Sequence, residues 1–329
     1  MSKPETIGAI AIGLVLNAFV PAHGAAQAWP TRPVTMVVPL AAGGAIDGID
    51  RILNPHLSEI LRQQVIIENV GGAGGMIGAH RVAKATPDGY QFVFGTAGTH
   101  AQNQTLYKQP RYNAATDFAP VVLIAEMPLV LIARRDLPVN NLQEFIAYTK
   151  ANQAKMQYGS PGAGSPSHLA CALFNAAIGV DVTHIAYRGG GPAMQDLIAG
   201  RIDYQCPNAA AAIPQLESNM VKAIATMTKD RSSILPNLAS AREQGLKDFE
   251  AENWVAFFLP RDTPTAIIRK LNEATSAAMN RPVVQERLRE LGAEVVAAER
   301  RSPEYLRKFV ESEIRKWAET IKASGLAIN

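Results

Sequence analysis

Residues 34–47 read Val34-Thr-Met-Val-Val-Pro-Leu-Ala-Ala-Gly-Gly-Ala-Ile-Asp47, and this stretch decides the fold class. Its first five residues are mostly β-branched or apolar, which is typical of a buried strand, and the pattern after its glycines is typical of a helix. The same change from a short strand to a loop and a helix recurs along the chain. This alternation predicts the α/β class, with a largely parallel sheet crossed by helices.

Further strands are predicted at 65–67 and 92–94. Pro55 falls inside the first predicted helix, where we expect a kink or a restart. The segment that begins at Ser302 has apolar residues at helical spacing among mixed charges, which predicts an amphipathic packing helix. The helices are expected at about 46–61, 76–84, 141–151, 165–178, 192–199, 266–279 and 302–324.

The chain carries no long linker rich in Ser, Gly or Pro, although 329 residues suffice for about two ordinary domains. Two lobes joined by strands that cross directly between them would leave no linker signature. The apolar stretches 121–133 and 254–259 are candidates for these crossings. We therefore expect one lobe at 29–130 and 254–329 and a second lobe at 131–253, with a ligand bound between them.

The N-terminal residues have the features of an export signal. Residues 7–20 form an apolar run that is short for a membrane span, and Ala26 and Ala28 have the spacing of a signal peptidase site before Trp29. A packed N-terminal helix is the alternative. We expect residues 1–28 to be a signal peptide cleaved near Ala28, and the mature protein to be exported to the periplasm, with no later segment that spans a membrane.

Export would place Cys171 and Cys206, the two cysteines of the chain, in an oxidising compartment. An even number of cysteines favours one disulfide bond. Two separately buried thiols remain an alternative, because the sequence does not give the distance between their Cα atoms. Neither cysteine belongs to a Cys-x-x-Cys pair, so redox catalysis is not expected.

Composition and motifs exclude several functional classes. Lys and Arg number 32 against 29 Asp and Glu, and a net charge of +3 is too small to indicate a nucleic-acid partner. The sequence lacks a phosphate-binding P-loop, a His-Glu-x-x-His zinc motif and a Gly-x-Ser-x-Gly nucleophile elbow. Gly72, Gly74 and Gly78 depart from the dinucleotide-binding spacing. We therefore expect no cofactor and no metal.

Four glycine-rich loops follow predicted strands and precede predicted helices, at residues 39–47, 71–75, 160–165 and 188–192. Glycine lets the backbone approach a ligand closely, and free N–H groups at a helix start favour anions. One such loop alone is most often an ordinary turn. Four of them together predict a site for a carboxylate or a phosphate.

The chain resembles the Bug-type (TctC-like) solute receptors of tripartite tricarboxylate transporters over nearly all of residues 29–329. The resemblance implies a periplasmic binding protein of the two-lobed type II (Venus-flytrap) fold, each lobe a mainly parallel sheet flanked by helices. It also implies that the protein is not an enzyme and delivers a small organic carboxylate to membrane permease subunits. The matching segments are 29–33, 38–47, 68–78, 85–90, 158–169, 186–193, 231–237, 243–245 and 259–264.

Carried over residue by residue, the resemblance implies a ligand site built from both lobes. Asp47 is expected to cap a helix, because a carboxylate would repel an anionic ligand. Family members usually have Phe-Pro where this chain has Leu40-Ala41, and often Phe-Asp where it has Cys206-Pro207, so the identity of the acid is left open. The expected ligand-binding residues are Leu40, Ala41, Ala42, Gly43, Gly44, Asp47, Thr96, Thr99, Gly162, Ala163, Ser165, His168 and Asn208.

Two other functions remain alternatives from the sequence. One is an exported enzyme that acts on an organic acid or ester through Ser165 and His168. The other is a sensor input, in which the liganded protein docks on a membrane signalling partner. For a clamp that must present both lobes to a membrane partner, we expect a monomer.

Overall fold

The strands form two separate mixed sheets in the computed structural model, which describes residues 29–43, 45–247, 249–324 and 327. The expected signal peptide at 1–28 and the candidate site residue Gly44 lie outside the described residues. The strands are β1 (Val34–Val38), β2 (Val65–Asn69), β3 (Gln91–Thr96), β4 (Phe118–Pro128), β5 (Val130–Arg134), β6 (Gln157–Ser160), β7 (Thr183–Ala186), β8 (Tyr204–Gln205), β9 (Val221–Thr226), β10 (Glu252–Pro260) and β11 (Glu294–Val295).

Helices flank both sheets, and several begin where the sequence supplies a cap. The Ser165 hydroxyl accepts a hydrogen bond from the N–H of His168, and Ser302 caps the last helix in the same way through Tyr305. The first helix runs through Pro55 without a restart. The helices are α1 (Ala45–Leu61), α2 (Met76–Ala83), α3 (Asn103–Leu106), α4 (Leu142–Asn152), α5 (Pro166–Ile178), α6 (Gly190–Ile198), α7 (Ala209–Glu217), α8 (Thr265–Met279), α9 (Pro282–Glu290) and α10 (Pro303–Ser324).

The two sheets have the same kind of strand order. The first runs β11-β4-β10-β3-β1-β2, and the second runs β7-β6-β8-β5-β9. Each sheet contains one strand that enters directly from the other half of the molecule. Strand β10 lies between β4 and β3 in the first sheet, and β5 lies between β8 and β9 in the second. The two-lobed α/β class expected from the sequence is confirmed.

The expectation of mainly parallel sheets needs correction. Only β2-β1-β3 and β7-β6-β8 pair in parallel, whereas β10 and β5 pair antiparallel with both of their neighbours. The inserted strands enter from the opposite half of the molecule, so they run against the resident strands. A fully apolar run such as Trp254–Leu259 does not reveal this direction, because it is buried in either orientation.

The chain crosses between the sheets at two adjacent segments. Leu129 alone separates β4 from β5, so the crossing lies within the expected stretch 121–133. The return crossing precedes Trp254, because residues 254–259 lie wholly inside β10. The N–H of Met227 donates to the Leu129 carbonyl (2.8 Å), and the N–H of Ala251 donates to the Met227 carbonyl (2.7 Å). The crossing segments are therefore held side by side.

Cys171 and Cys206 form a disulfide bond, with their Cα atoms 5.6 Å apart. Cys171 lies in α5 and Cys206 follows β8, and both side chains are fully buried. The bond fastens a helix of the second half to the segment that leads into α7. The alternative of two separate thiols is wrong.

Helix α1 buries an acid without a partner. Asp50 is fully buried, and neither of its carboxylate oxygens has a hydrogen-bond partner. Burial, together with the nearby Asp47 carboxylate, raises the pKa of Asp50 to about 7. An uncharged Asp50 therefore stabilises the folded protein below neutral pH, and its ionisation destabilises the protein above it.

Replacement of both cysteines, Cys171→Ala with Cys206→Ala, should lower the free energy of unfolding by about 3–4 kcal/mol, because the bond closes a loop of 35 residues in the unfolded chain. Urea unfolding measured by circular dichroism checks the value. Reduced wild-type protein should show the same loss, and a variant as stable as the oxidised protein would contradict a stabilising role.

The Asp50→Asn variant should gain stability relative to the wild type as the pH rises from 5 to 8, by at most about 1.4 kcal/mol per pH unit. The folded-state pKa is raised, so the protonated acid stabilises at low pH and this contribution disappears through about pH 7. Urea unfolding at both pH values measures the effect. Glu68→Gln is the control, since the bond from Arg81 lowers the pKa of Glu68 and its loss should cost similar stability at both pH values. A pH-independent difference for Asp50→Asn would contradict the assignment.

Candidate functional site

The topology brings the loops of both halves to one cleft. Strands β3 and β4 both run antiparallel to β10, so the carboxyl ends of β1, β2 and β3 lie at the edge where β4 leads into the crossing. In the second sheet β8 runs antiparallel to β5, which starts directly after the crossing, and β6 and β7 are parallel to β8. The loops that follow both sets of strands therefore meet beside the crossing, where α/β proteins bind ligands.

The first-lobe loop, residues 39–43, is anchored by the carboxylate of Asp47. This carboxylate accepts hydrogen bonds from the N–H of Gly43 (2.9 Å), from Arg51 Nε (2.8 Å) and from Asn69 Nδ2 (2.9 Å). Asn69 Nδ2 also donates to the carbonyl of Leu40 (3.2 Å). Burial works to raise the pKa of Asp47, but the bonds from Arg51, Gly43 and Asn69 outweigh it and lower that pKa.

Asp47 is expected to cap a helix from the position before it, and this expectation needs correction. Helix α1 begins at Ala45, so Asp47 lies inside the first turn and reaches back to Gly43. Its side chain is buried and its oxygens are paired. Ala41 and Ala42 are exposed, and their N–H groups have no hydrogen-bond partner among the described residues. These two N–H groups are exposed donors that the first-lobe loop offers to a ligand.

The glycines at 71–78 serve packing against the first-lobe loop. A Cβ atom at Gly71 would lie 3.4 Å from the backbone nitrogen of Ala41, and one at Gly78 would lie 3.0 Å from the Cα of Pro39. Gly75, at φ +87°, would bring a Cβ within 2.6 Å of Thr99 Cγ2. Of the three glycines with dinucleotide-like spacing, Gly78 makes such a close approach, and Gly72 and Gly74 have φ angles of +117° and +60° that favour glycine. Local backbone requirements therefore account for this spacing without a nucleotide.

Thr96 and Thr99, expected as hydroxyl donors, are buried and bonded to each other. The N–H of Thr96 donates to Thr99 Oγ1 (2.9 Å), and the N–H of Thr99 donates to Thr96 Oγ1 (3.2 Å). Thr99 Oγ1 also lies 2.8 Å from His100 Nδ1, and the Thr99 carbonyl accepts from the Tyr112 hydroxyl. The two threonines close the turn after β3 and do not face the cleft as exposed donors.

The second-lobe loop, residues 160–165, is shaped by side chains around it. The N–H of Gly162 donates to Ser160 Oγ (3.2 Å), and the N–H of Gly164 donates to His168 Nδ1 (3.1 Å). The N–H of Ser165 donates to the Gly162 carbonyl (3.2 Å). Three N–H groups of this loop, including those of the expected ligand residues Gly162 and Ser165, are therefore used internally.

The donors that remain in this loop are at Ala163 and Ser167. Ala163 is exposed, and its N–H has no partner among the described residues. Ser167, in the first turn of α5, is 6% exposed, and its hydroxyl has no hydrogen-bond partner. An unpartnered buried hydroxyl beside a helix N-terminus is costly unless a ligand or water fills it. The sequence analysis missed Ser167, whose only signal is its place between the expected Ser165 and His168.

His168 is expected as a ligand residue, but its ring is turned inwards. Its Nδ1 accepts the Gly164 N–H, and the ring stacks on His184 with centroids 4.0 Å apart. Burial, with the nearby His184 as a smaller cause, lowers the pKa of His168 to about 4. At neutral pH the ring is uncharged and gives no positive charge to an anion.

Asn208 lies at the base of the cleft beside the crossing. It bridges to Leu129, and the neighbouring Pro207 carbonyl accepts from the N–H of Val130 (2.9 Å). The Asn208 side chain does not cap α7, and its Oδ1 is buried without a partner. Gln205, which the sequence analysis missed, is 2% exposed with Nε2 equally unpartnered. Both are neutral amides, so this side of the cleft carries polar groups without charge.

A cavity of about 590 Å³ lies away from these loops, between the crossing segments and α10. Some of its charged side chains pair with one another, Arg300 with Glu126, and Lys316 with both Glu250 and Glu313. Its lining has more carboxylates than cationic side chains, which does not favour an anionic ligand, so we place the candidate site in the cleft. Among the described residues no cluster of His, Cys, Asp and Glu suits a metal ion. None of the helices described is long and apolar enough to cross a bilayer.

Comparison with known proteins agrees with this architecture. The model of the tripartite tricarboxylate transporter family receptor matches residues 49–326. A UPF0065 protein of Agrobacterium vitis is 40% identical over 301 residues, which cover 92% of this chain and 87% of that protein. The structure of MatC (Rpa3494) from Rhodopseudomonas palustris with bound malate is 38% identical, with a TM-score of 0.83 over 89% of this chain and all of that one. R. palustris Rpa4515 with adipate is 37% identical, with a TM-score of 0.83 over 91% of this chain and 99% of that one. The chain therefore belongs to the tripartite tricarboxylate transporter receptor family, the Bug-type (TctC-like) solute-binding receptors that its loop motifs resemble.

Proposed function

We propose that the protein is a periplasmic receptor that binds a small organic carboxylate in the cleft and delivers it to the permease subunits of a tripartite tricarboxylate transporter. The observation that carries this proposal is the set of unpartnered N–H groups at the starts of α1 and α5. Ala41 and Ala42 supply them on one side and Ala163 on the other, where the unpartnered hydroxyl of Ser167 adds a further donor. The malate and adipate of the solved relatives support the carboxylate class.

Binding would couple the ligand to both lobes. Hydrogen bonds from N–H groups to a carboxylate contribute about 1.5–3 kcal/mol each, and the helix dipoles favour the same charge. A ligand that contacts both loops stabilises only the arrangement in which the lobes approach each other, so closure follows from differential affinity. The crossing at Leu129, Met227 and Ala251 is the hinge in this scheme.

Catalysis through Ser165 and His168 is not supported by their geometry. The Ser165 hydroxyl accepts the N–H of His168 as a helix cap, and the His168 Nδ1 is occupied by Gly164. No hydrogen bond joins the serine hydroxyl to the imidazole, as a nucleophile and its base require. We therefore retain a receptor without turnover. A sensor input would use the same cleft, and a deletion strain separates the two roles by loss of uptake or loss of induction.

The remaining expectations belong to this proposal. We place lobe 1 at 29–130 and 254–329 and lobe 2 at 131–253, with residues 1–28 as a signal peptide cleaved near Ala28. The receptor acts as a monomer, because each lobe must face the membrane partner. The cleft binds its ligand without a cofactor.

The protein is tested against mono-, di- and tricarboxylates, aromatic acids, sugars and nucleotides. Only carboxylates should raise its melting temperature, because a ligand that binds the native state stabilises that state by mass action. Thermal shift followed by calorimetric titration should give one acid bound per chain, with no product detected by mass spectrometry. A shift with a sugar or nucleotide and none with any acid would contradict the proposal.

The Ala163→Asp variant should weaken binding of that acid at least a hundredfold, because it sets a negative charge beside the free N–H of the second-lobe loop. Ala163→Asn is the matched control, since it has nearly the same shape without the charge, and it should stay within about tenfold of the wild type. Calorimetric titration measures both. Equal affinities of the Asp and Asn variants would remove Ala163 from the site.

A further inference from the structure

A serine and two histidines form a group behind the second-lobe loop, in which the serine and His168 are buried and His184 is half-buried. Ser160 and Tyr158 lie on β6, and His184 lies opposite Tyr158 on the parallel strand β7. His184 Nε2 is 2.7 Å from Ser160 Oγ, and Ser160 itself is fully buried. His168 stacks on His184 from α5, with ring centroids 4.0 Å apart. The group lies directly beneath the loop whose N–H groups the proposed function uses.

Counting donors and acceptors fixes the protons of this group. Ser160 Oγ has three partners, the Gly162 carbonyl (3.0 Å), the Gly162 N–H (3.2 Å) and His184 Nε2. A hydroxyl donates once and accepts twice, so all three bonds form together only when the hydroxyl donates to the carbonyl and His184 donates from Nε2. His168 Nδ1 accepts the Gly164 N–H, so the proton of the neutral His168 ring is also on Nε2.

We propose that His184 is a positioning residue for ligand binding, which acts through Ser160 to hold the second-lobe loop in the shape that exposes the N–H of Ala163. This inference rests on the proposed function. Ser160 fixes both polar groups of Gly162 on one side of Ala163, and His168 fixes Gly164 on the other side. Ala163 is thereby left as the exposed residue between two anchored glycines.

The rings themselves do not supply charge to the ligand. Burial lowers the pKa of His184 below its usual range, and burial with the nearby His184 lowers the pKa of His168 to about 4. The neighbouring ring is that of Tyr158, which stacks on His184 with centroids 4.9 Å apart and whose pKa burial raises to about 12. The group is therefore uncharged at neutral pH, which suits a positioning role.

The test compares His184→Phe with His184→Gln in the purified protein. Phenylalanine keeps a stacking ring but has no nitrogen, whereas the glutamine amide can place an N–H donor near the position of Nε2. We expect His184→Phe and Ser160→Ala each to weaken binding of L-malate or adipate at least tenfold by calorimetry, and the double variant to be no weaker than the weaker single variant. His184→Gln should stay within about threefold of the wild type. Wild-type affinity in His184→Phe, or additive losses in the double variant, would overturn the proposal.

A second readout needs no ligand. Amide exchange at Gly162 should quicken in His184→Phe and Ser160→Ala and stay unchanged in His184→Gln, and nitrogen NMR of the wild type should show the His184 proton on Nε2. A proton on Nδ1, or unchanged exchange in both disruptive variants, would overturn the proposal even if His184→Phe folds poorly. If the wild type binds neither acid while the exchange contrasts hold, the proposed ligand class fails and the loop assignment stands.

Discussion

The pair of hydrogen bonds at the crossing is the constraint on which the rest of the structure depends. Leu129 lies in the first crossing, and Met227 and Ala251 lie at the two ends of the segment between β9 and β10 that contains the return crossing. The three are side by side because Leu129 accepts a hydrogen bond from Met227, which accepts one from Ala251. Each crossing inserts one strand into the opposite sheet. The direction of that inserted strand fixes which ends of the resident strands face the cleft. The backbone passes between the two sheets only at this crossing, although side chains such as Ser232 and Glu294 also join the two halves.

The glycine loops have divided roles, although they look alike in the sequence. Glycines 71, 75 and 78 allow the backbone of one loop to lie against another, and Gly162 and Gly164 direct their N–H groups to side chains within the lobe. The exposed N–H groups belong to alanines 41, 42 and 163. Glycine therefore supplies the packing that supports the site, and the residues between the glycines present it.

Much of the fold was accessible from the sequence, because local patterns dictate it. The β-branched run at 34–38 formed a buried strand, and Ser165-Pro166 and Ser302-Pro303 started helices where a hydroxyl cap and proline favour them. The direction of the inserted strands β5 and β10 could not be predicted, because a strand that is buried on both faces has the same apolar sequence pattern in a parallel and in an antiparallel sheet. The contacts of Asp47 with Asn69, and of Ser160 with His184, join residues 22 and 24 positions apart, so no local pattern signals them. Ser167 and Gln205 were missed because their significance is the lack of a partner in three dimensions.

The disulfide bond has a consequence for where the molecule is stiff. It joins Cys171, one turn beyond Ser167 in α5, to Cys206, two residues before Asn208, so both cleft-facing segments of the second half belong to one covalently closed unit. Neither cysteine lies at the crossing, so the bond does not restrain the movement of one half against the other. The ligand-facing segments of the second half are thus ordered before a ligand binds, so that binding costs less conformational entropy there. The crossing between the two halves is left unrestrained by the bond. Preorganisation and mobility are assigned to different parts of the same backbone.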